Sequence, residues 1–259
     1  MKKVLTIAGS DCSGGAGIQA DLKTICAHKM YGMSAITALT AQNTKGVYSI
    51  FDTTPEFLAE QLDAIFTDIY PDSIKIGMVS NPALIQMIVD KLKQYDAKNI
   101  VVDPVMISTS GYKLLTDEAI DILTSGLIPL ATVITPNTFE AEALSGEKIT
   151  DEASLLEVSK MMYEKFGTNI LIKGGHLEGE DAVDILYDSK THRFALPKVQ
   201  NPNTHGTGCT LSSAIACQLA AGNNLIDSIE KAKQYLHGAL SDMLDLGQGS
   251  GPVNHLYNL

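Results

Sequence analysis

The 259-residue chain carries 19 Lys and Arg against 30 Asp and Glu, a net charge of −11. That excludes a nucleic-acid-binding surface, because neutralising phosphates takes clustered cations and no run of five basic residues occurs. With 45% hydrophobic and 19% charged residues, the composition is that of a globular protein, long enough to bury a core without staples.

Four cysteines, at 12, 26, 209 and 217, show no CxxC or zinc-finger spacing, which argues against a disulfide scaffold and points to a reducing cytoplasm. The apolar stretch after Met1 is too short for a signal peptide. The longest charge-free run, 199–226, is interrupted by Asn, Pro and Gly, so no membrane span is expected.

In chain order, 4–8 reads as a strand, 16–29 as a helix, 34–40 as a strand and 55–68 as a helix. Strands at 74–77 and 100–102 flank a helix at 82–95. A helix at 116–125 and a strand at 133–135 follow, then helices at 138–144 and 151–166 and a strand at 170–173. A hairpin, 182–187 with 192–196, turns around 188–190, and helices at 209–220 and 225–244 complete the pattern. Strands alternating with helices predict an α/β fold, a mostly parallel sheet covered on both faces. No repeat, low-complexity tract or linker interrupts it, so 1–259 reads as one domain.

Five strands run into polar residues or glycine: Gly9, Ser10 and Asp11; Gly77 and Met78; Asp103 and Pro104; Pro136 and Asn137; Lys173, Gly174 and Gly175. Ligands of open α/β sheets bind beyond the carboxyl ends of strands, so the five ends together predict one crevice. Near Gly206 and Gly208 the backbone can turn its amides one way at a helix start, making an anion site with no basic residue. The alternative is an ordinary helix start capped by Thr207. Cys209 sits at the same start, where the helix dipole favours thiolate and burial opposes it. Cys217, Cys26 and Cys12 read as packing residues, Cys12 being close to the crevice.

Asp103 and Glu140 could help hold Mg²⁺, a hard ion that keeps several waters, or could be capping carboxylates. Lys173 could reach a phosphate. GAGIQA at 15–20 fits the loose dinucleotide fingerprint, but the second strand ends near Gln42 without the required acid. No Walker A sequence occurs.

The motifs TIAGSD (6–11), GGAGIQADLK (14–23), TALTAQNTKGV (37–47), KIGM (75–78), DPVM (103–106), TPN (135–137), KGGH (173–176), NTHGTGCTLSSA (203–214) and GSGPVNH (249–255) cover essentially the whole chain. As a set the chain resembles the hydroxymethylpyrimidine and phosphomethylpyrimidine kinases of thiamine biosynthesis, in the ribokinase-like superfamily. The resemblance implies a ribokinase-like fold, ATP and Mg²⁺ as cofactors, and a homodimer. It implies that Gly206, Thr207, Gly208 and Cys209 form the anion hole for the transferring phosphoryl group. It implies that Lys173, Asn137 and Thr204 bind ATP, that Asp103 and Glu140 organise the metal, and that Gln42, Asp21, Gly9, Met78 and Val105 form the pyrimidine pocket. Cysteine stands where sugar kinases of the superfamily carry an aspartate base. Cys209 would accept the hydroxymethyl proton or only position the alcohol. The rival expectation is a pyridoxal kinase, which shares the GTGC signature; a silent ligand-binding protein and a nicotinamide oxidoreductase lie further off. A loop around 108–113 is a candidate lid.

Overall fold

A computed structural model describes residues 1–106 and 115–259; the candidate lid at 108–113 lies outside the described residues. Among the described residues nine strands form one sheet in the order β3-β2-β1-β4-β5-β6-β7-β8-β9. They are β1 (Lys3–Asp11), β2 (Tyr31–Asn43), β3 (Gly46–Asp52), β4 (Ser73–Ile76), β5 (Ile100–Val102), β6 (Val133–Ile134), β7 (Asn169–Lys173), β8 (Asp181–Tyr187) and β9 (Thr191–Pro197). Strands β2, β1, β4, β5, β6 and β7 are parallel neighbours. β3 is antiparallel to β2, and β8 and β9 form an antiparallel hairpin beside β7, the hairpin expected around 188–190.

The helices are α1 (Gly17–Ala27), α2 (Pro55–Asp68), α3 (Pro82–Gln94), α4 (Asp117–Ile122), α5 (Thr138–Ser145), α6 (Glu152–Phe166), α7 (Thr207–Ala220) and α8 (Leu225–Ser241). The period-two alternation of strands divides them between faces. Leu5, Ile7, Ile74, Ile76, Ile100, Val102, Ile170 and Ile172 share one core cluster with α2, α3 and α6. Val4, Val101, Val133 and Leu171 point the other way, toward α1, α7 and α8.

Three departures from the sequence expectation have local causes. β3 was not expected: as an edge strand it buries neither face, so its side chains do not alternate. β2 runs on to Asn43 because β3 pairs with its second half. The helix expected at 116–125 is α4 followed by a π-helical turn, Leu123–Leu127, and a 3₁₀ turn, Ile128–Leu130, where Pro129 cannot supply a helical amide.

Most helices start on a side-chain cap. Thr54, Asn81, Thr116, Asn137, Asp151 and Asn224 each accept a first-turn amide. The two exceptions are α1, which starts after Ala16, and α7, which starts after Gly206. These two uncapped ends meet at the site.

Candidate active site

The crevice forms where the strand ends were expected to converge. Gly206 holds a left-handed backbone, φ +80°, at the N-cap of α7; a Cβ there would collide with the Gly15 carbonyl, so only glycine turns the chain into the helix. Thr207 is the first helical residue, not the cap. Its amide donates to Thr204 O at 3.3 Å. The amides of Gly208 and Cys209 follow, with no intrahelical acceptor available in a first turn.

Lys173 and Asp103 close the other side. Lys173 Nζ donates to Asp103 Oδ1 at 2.9 Å, and a Cβ on Gly208 would lie 3.2 Å from Lys173 Nζ and 3.4 Å from Asp103 Oδ2. The lysine, the carboxylate and the α7 start are therefore in contact range of one another. Burial opposes both charges, but Lys173 together with Lys75 holds the Asp103 carboxyl below its ordinary value, and Asp103 with Glu140 raises Lys173.

Glu140 is buried and also caps: its Oε2 accepts from Asn137 N at 2.8 Å, while Asn137 Oδ1 accepts from Glu140 N at 2.9 Å. The capping reading of Glu140 is thus met by its geometry. Burial pushes its carboxyl up to about 7; Lys173 pulls it down and Asp103 pushes it further up. Two buried carboxylates that repel each other are a donor set suited to Mg²⁺, which takes one or two carboxylates and completes its shell with phosphate and water. Among the described residues no cluster of three or more His, Cys, Asp or Glu could hold a metal by itself.

Cys209 lies between the two uncapped helices. The Gly17 amide at the start of α1 is near enough to favour its thiolate form. Burial pushes the thiol up to about 11; Lys75 pulls it down, and Asp21 and Asp103 push it up. Burial therefore outweighs the pull of Lys75 and the Gly17 amide, and the thiol is held above its ordinary value.

Asp21 is fully buried, its carboxylate taken up by protein partners. Its Oδ1 accepts from Ser213 Oγ (2.7 Å) and its Oδ2 from Thr6 Oγ1 (2.6 Å), and both oxygens accept from Lys75 Nζ at 2.9 Å. Lys75, the missed partner, is fully buried in β4 and held well above the ordinary lysine range: burial opposes its charge, but Asp21 outweighs it. A lysine inside the otherwise apolar strand SIKI was the available signal.

Gly9 and Met78 do come together: a Cβ on Gly9 would lie 2.7 Å from Met78 Cε. Val105 follows Asp103 and donates its amide back to Asp103 O at 2.8 Å. Gln42, at the end of β2, lies against His205 in the turn before α7, 3.3 Å from Nε2. His205 Nε2 in turn lies 2.9 Å from Asp11 Oδ2. Cys12 reaches the same place: its thiol donates to Gln42 O at 3.2 Å and accepts from Gln42 N at 3.3 Å. Neither His205 nor Asp11 had been assigned a role.

Thr204 is not brought to Lys173 or Asn137. It is exposed and contacts Ser250. The segment 249–255 seals this corner: Gly251 O accepts from His205 N at 3.0 Å, Gly251 N donates to Asn203 Oδ1 at 2.8 Å, and His255 Nε2 lies 3.0 Å from Thr210 Oγ1.

Among the described residues no helix is long and apolar enough to cross a membrane. A family model described as phosphomethylpyrimidine kinase matches residues 11–254. The hydroxymethylpyrimidine/phosphomethylpyrimidine kinase of Rhizobium meliloti is 48% identical over 98% of this chain and 96% of its own length. The thiamine biosynthesis bifunctional protein ThiED of Geobacter sulfurreducens is 49% identical over 98% of this chain, which spans only 52% of that longer protein. An ADP complex of Bacillus subtilis pyridoxal kinase superposes with a TM-score of 0.90 at 37% identity, covering 98% of this chain and 97% of that one. The chain thus has the ribokinase-like fold and belongs to the phosphomethylpyrimidine kinase family.

Proposed function

We propose that this chain transfers the γ-phosphoryl group of ATP to 4-amino-5-hydroxymethyl-2-methylpyrimidine, and a second one to the resulting monophosphate, in thiamine biosynthesis. The carrying observation is the start of α7: an uncapped helix N-terminus behind a left-handed glycine, with the Lys173–Asp103 pair against Gly208. Such an end favours anions. Phosphoryl transfer needs mainly positioning and charge stabilisation, and the amides of Gly208 and Cys209 with the turn at Gly206 and Thr207 supply both.

Lys173 engages the ATP phosphates, with Asn137 beside it; Thr204, on the Ser250 side, has no support for that role from its contacts. Asp103 and Glu140 would hold Mg²⁺, which when bound neutralises phosphate charge. Gln42 reads the aminopyrimidine, since an amide both donates and accepts; Gly9, Met78 and Val105 flank the ring, and Asp21 acts through Lys75. Cys209, as the thiolate left once its own thiol proton has passed to solvent, accepts the hydroxymethyl proton as the bond from the alcohol oxygen to the γ-phosphorus forms and the bond from that phosphorus to the ADP oxygen breaks. The Gly17 amide and Lys75 favour the thiolate this requires.

A second reading, a pyridoxal kinase, draws on the close superposition with such an enzyme. One mass-spectrometric assay with Mg-ATP separates the two. Phosphorylated products from the aminopyrimidine alcohol and its monophosphate, with little from pyridoxal, are expected; product from pyridoxal alone would overturn the reading.

The same assay on Cys209→Ala tests the base. The first acceptor is an alcohol with a proton to lose, whereas the second is an already ionised phosphate oxygen. Loss of a general base costs roughly 10²-fold or more, so the first turnover falls by that factor and the second does not. Near-normal turnover of the alcohol would sink the role.

A further inference from the structure

Gln42 sits in a hydrogen-bond arrangement that does not balance as it stands. Its Nε2 lies 3.3 Å from His205 Nε2, and its Oε1 lies 3.1 Å from Thr40 Oγ1. His205 Nε2 also lies 2.9 Å from Asp11 Oδ2. The Asp11 carboxylate accepts from Ser13 N, Ser13 Oγ, Gly15 N and Ala16 N as well, so it is ionised and can only accept. His205 must therefore carry a proton on Nε2 and donate it to Asp11. That leaves two donors, His205 Nε2–H and the Gln42 amide N–H, facing each other. A bare Nε2 would instead face the carboxylate lone pairs at 2.9 Å, so no tautomer removes the conflict.

The other end conflicts too. Thr40 has one hydroxyl proton, and Ser10 O, 3.0 Å away, is an acceptor only. If that proton goes to Ser10 O, the Thr40 oxygen faces the Gln42 oxygen, acceptor against acceptor. Turning the Gln42 amide by 180° repairs both ends. His205 Nε2–H then shares its proton between Asp11 Oδ2 and Gln42 Oε1, and the Gln42 N–H donates to Thr40 Oγ1. The orientation of an amide is decided by its network in this way.

We propose that His205, held by Asp11, is a specificity-determining positioning residue: with Thr40 it locks the Gln42 amide with its oxygen toward the imidazole, and so fixes which donor and acceptor the ring of the substrate meets. The inference rests on the proposed role of Gln42 at the aminopyrimidine. The surroundings leave His205 little freedom. Its ring is buried against Gly15, where a Cβ would collide with it, and near Pro252, whose Cβ lies 3.3 Å from that same point. The Gln42 backbone is gripped from the other side by the Cys12 thiol. In the locked orientation Gln42 keeps one N–H and one oxygen lone pair unused, which match a ring nitrogen and the adjacent exocyclic amine of a 4-aminopyrimidine. The 4-hydroxy analogue in its keto form presents the reverse pattern, a ring N–H and a carbonyl, and a locked amide rejects it.

The test is the ratio of kcat/KM for the aminopyrimidine alcohol to that for its 4-hydroxy analogue. Wild type should favour the amine. In His205→Phe the amide is free to turn and accept the reverse pattern. The ratio then falls about tenfold or more, with KM rising for the amine, KM falling for the keto form and KM for ATP within about twofold of wild type. Thr40→Val releases the other end of the amide and should move the ratio in the same direction, so it carries the test if His205→Phe does not fold. A merely structural role would raise both KM values together and leave the ratio unchanged; that result, with an active wild type, overturns the lock alone. A wild type inactive on both pyrimidines overturns the reading of Gln42 as well.

Discussion

Glu140 carries a carboxyl that burial raises to about 7, and the sign of the consequence is fixed. A carboxyl raised on folding stabilises the fold in its protonated form; that contribution is complete below the ordinary Glu value and is lost as pH rises through about 7. The metal-free protein should therefore melt at lower temperature as pH is raised from 5 to 8, and Glu140→Gln should flatten that slope. Asp103, shifted the other way, contributes stability that is present at neutral pH and is lost only as pH falls below the ordinary Asp value. Binding of Mg-ATP should release up to about one proton near pH 6.5, read by calorimetry in buffers of different ionisation heat, and Glu140→Gln should abolish the release. At this scale the sequence displays the chemistry of a residue but not its partner. Lys173, Asp103 and Gly208 were legible because each ends a strand or starts a helix. Lys75, His205 and Asp11 were not, because their roles depend on contacts with residues 54, 194 and 163 positions away. The partner of Asp21 was hidden for the same reason: an acid on the buried face of α1 does not announce the Lys75 that lies against it.

The element scale explains why Lys75 matters. Its ion pair ties β4 to α1, while Thr6 adds β1 and Ser213 adds α7, so four elements that bring the uncapped ends of α1 and α7 together share one buried charge pair. Removing one member of a buried pair costs about 3–5 kcal/mol, whereas replacing both can be nearly neutral. Lys75→Met should accordingly lose that much in denaturant unfolding. The double variant Lys75→Met, Asp21→Asn should recover most of it. Equal losses in single and double variants would mean that packing, not charge, holds the joint. Element positions were mostly readable, since the helix over Pro55–Asp68 and the strand over Ile100–Val102 follow from pattern and capping. β3 escaped because an exposed edge strand has no buried face to impose alternation.

For the whole molecule, the homodimer that the resemblance implies would close on the β2–β3 extension. Leu39 and Phe51 are directly paired across the two strands and are 51% and 74% exposed, and β3 offers an unpaired strand edge that proteins normally cover. A homodimer closing on this face should sediment at twice the chain mass, and Phe51→Glu should shift it to monomer. A wild type that sediments as a monomer would remove the proposal.

The seal formed by residues 249–255 has a consequence for biosynthesis. These residues hold His205, Asn203 and Thr210, yet they leave the ribosome after β1 to β9 and α1 to α8 have been made. The sheet and its buried charges can assemble while translation continues, but the turn that leads into α7 gains its last hydrogen bonds only when this stretch has emerged. A nascent chain stalled after α8 would thus be folded and still lack the hydrogen bonds that anchor His205, so competence for ligand would lag behind folding in time.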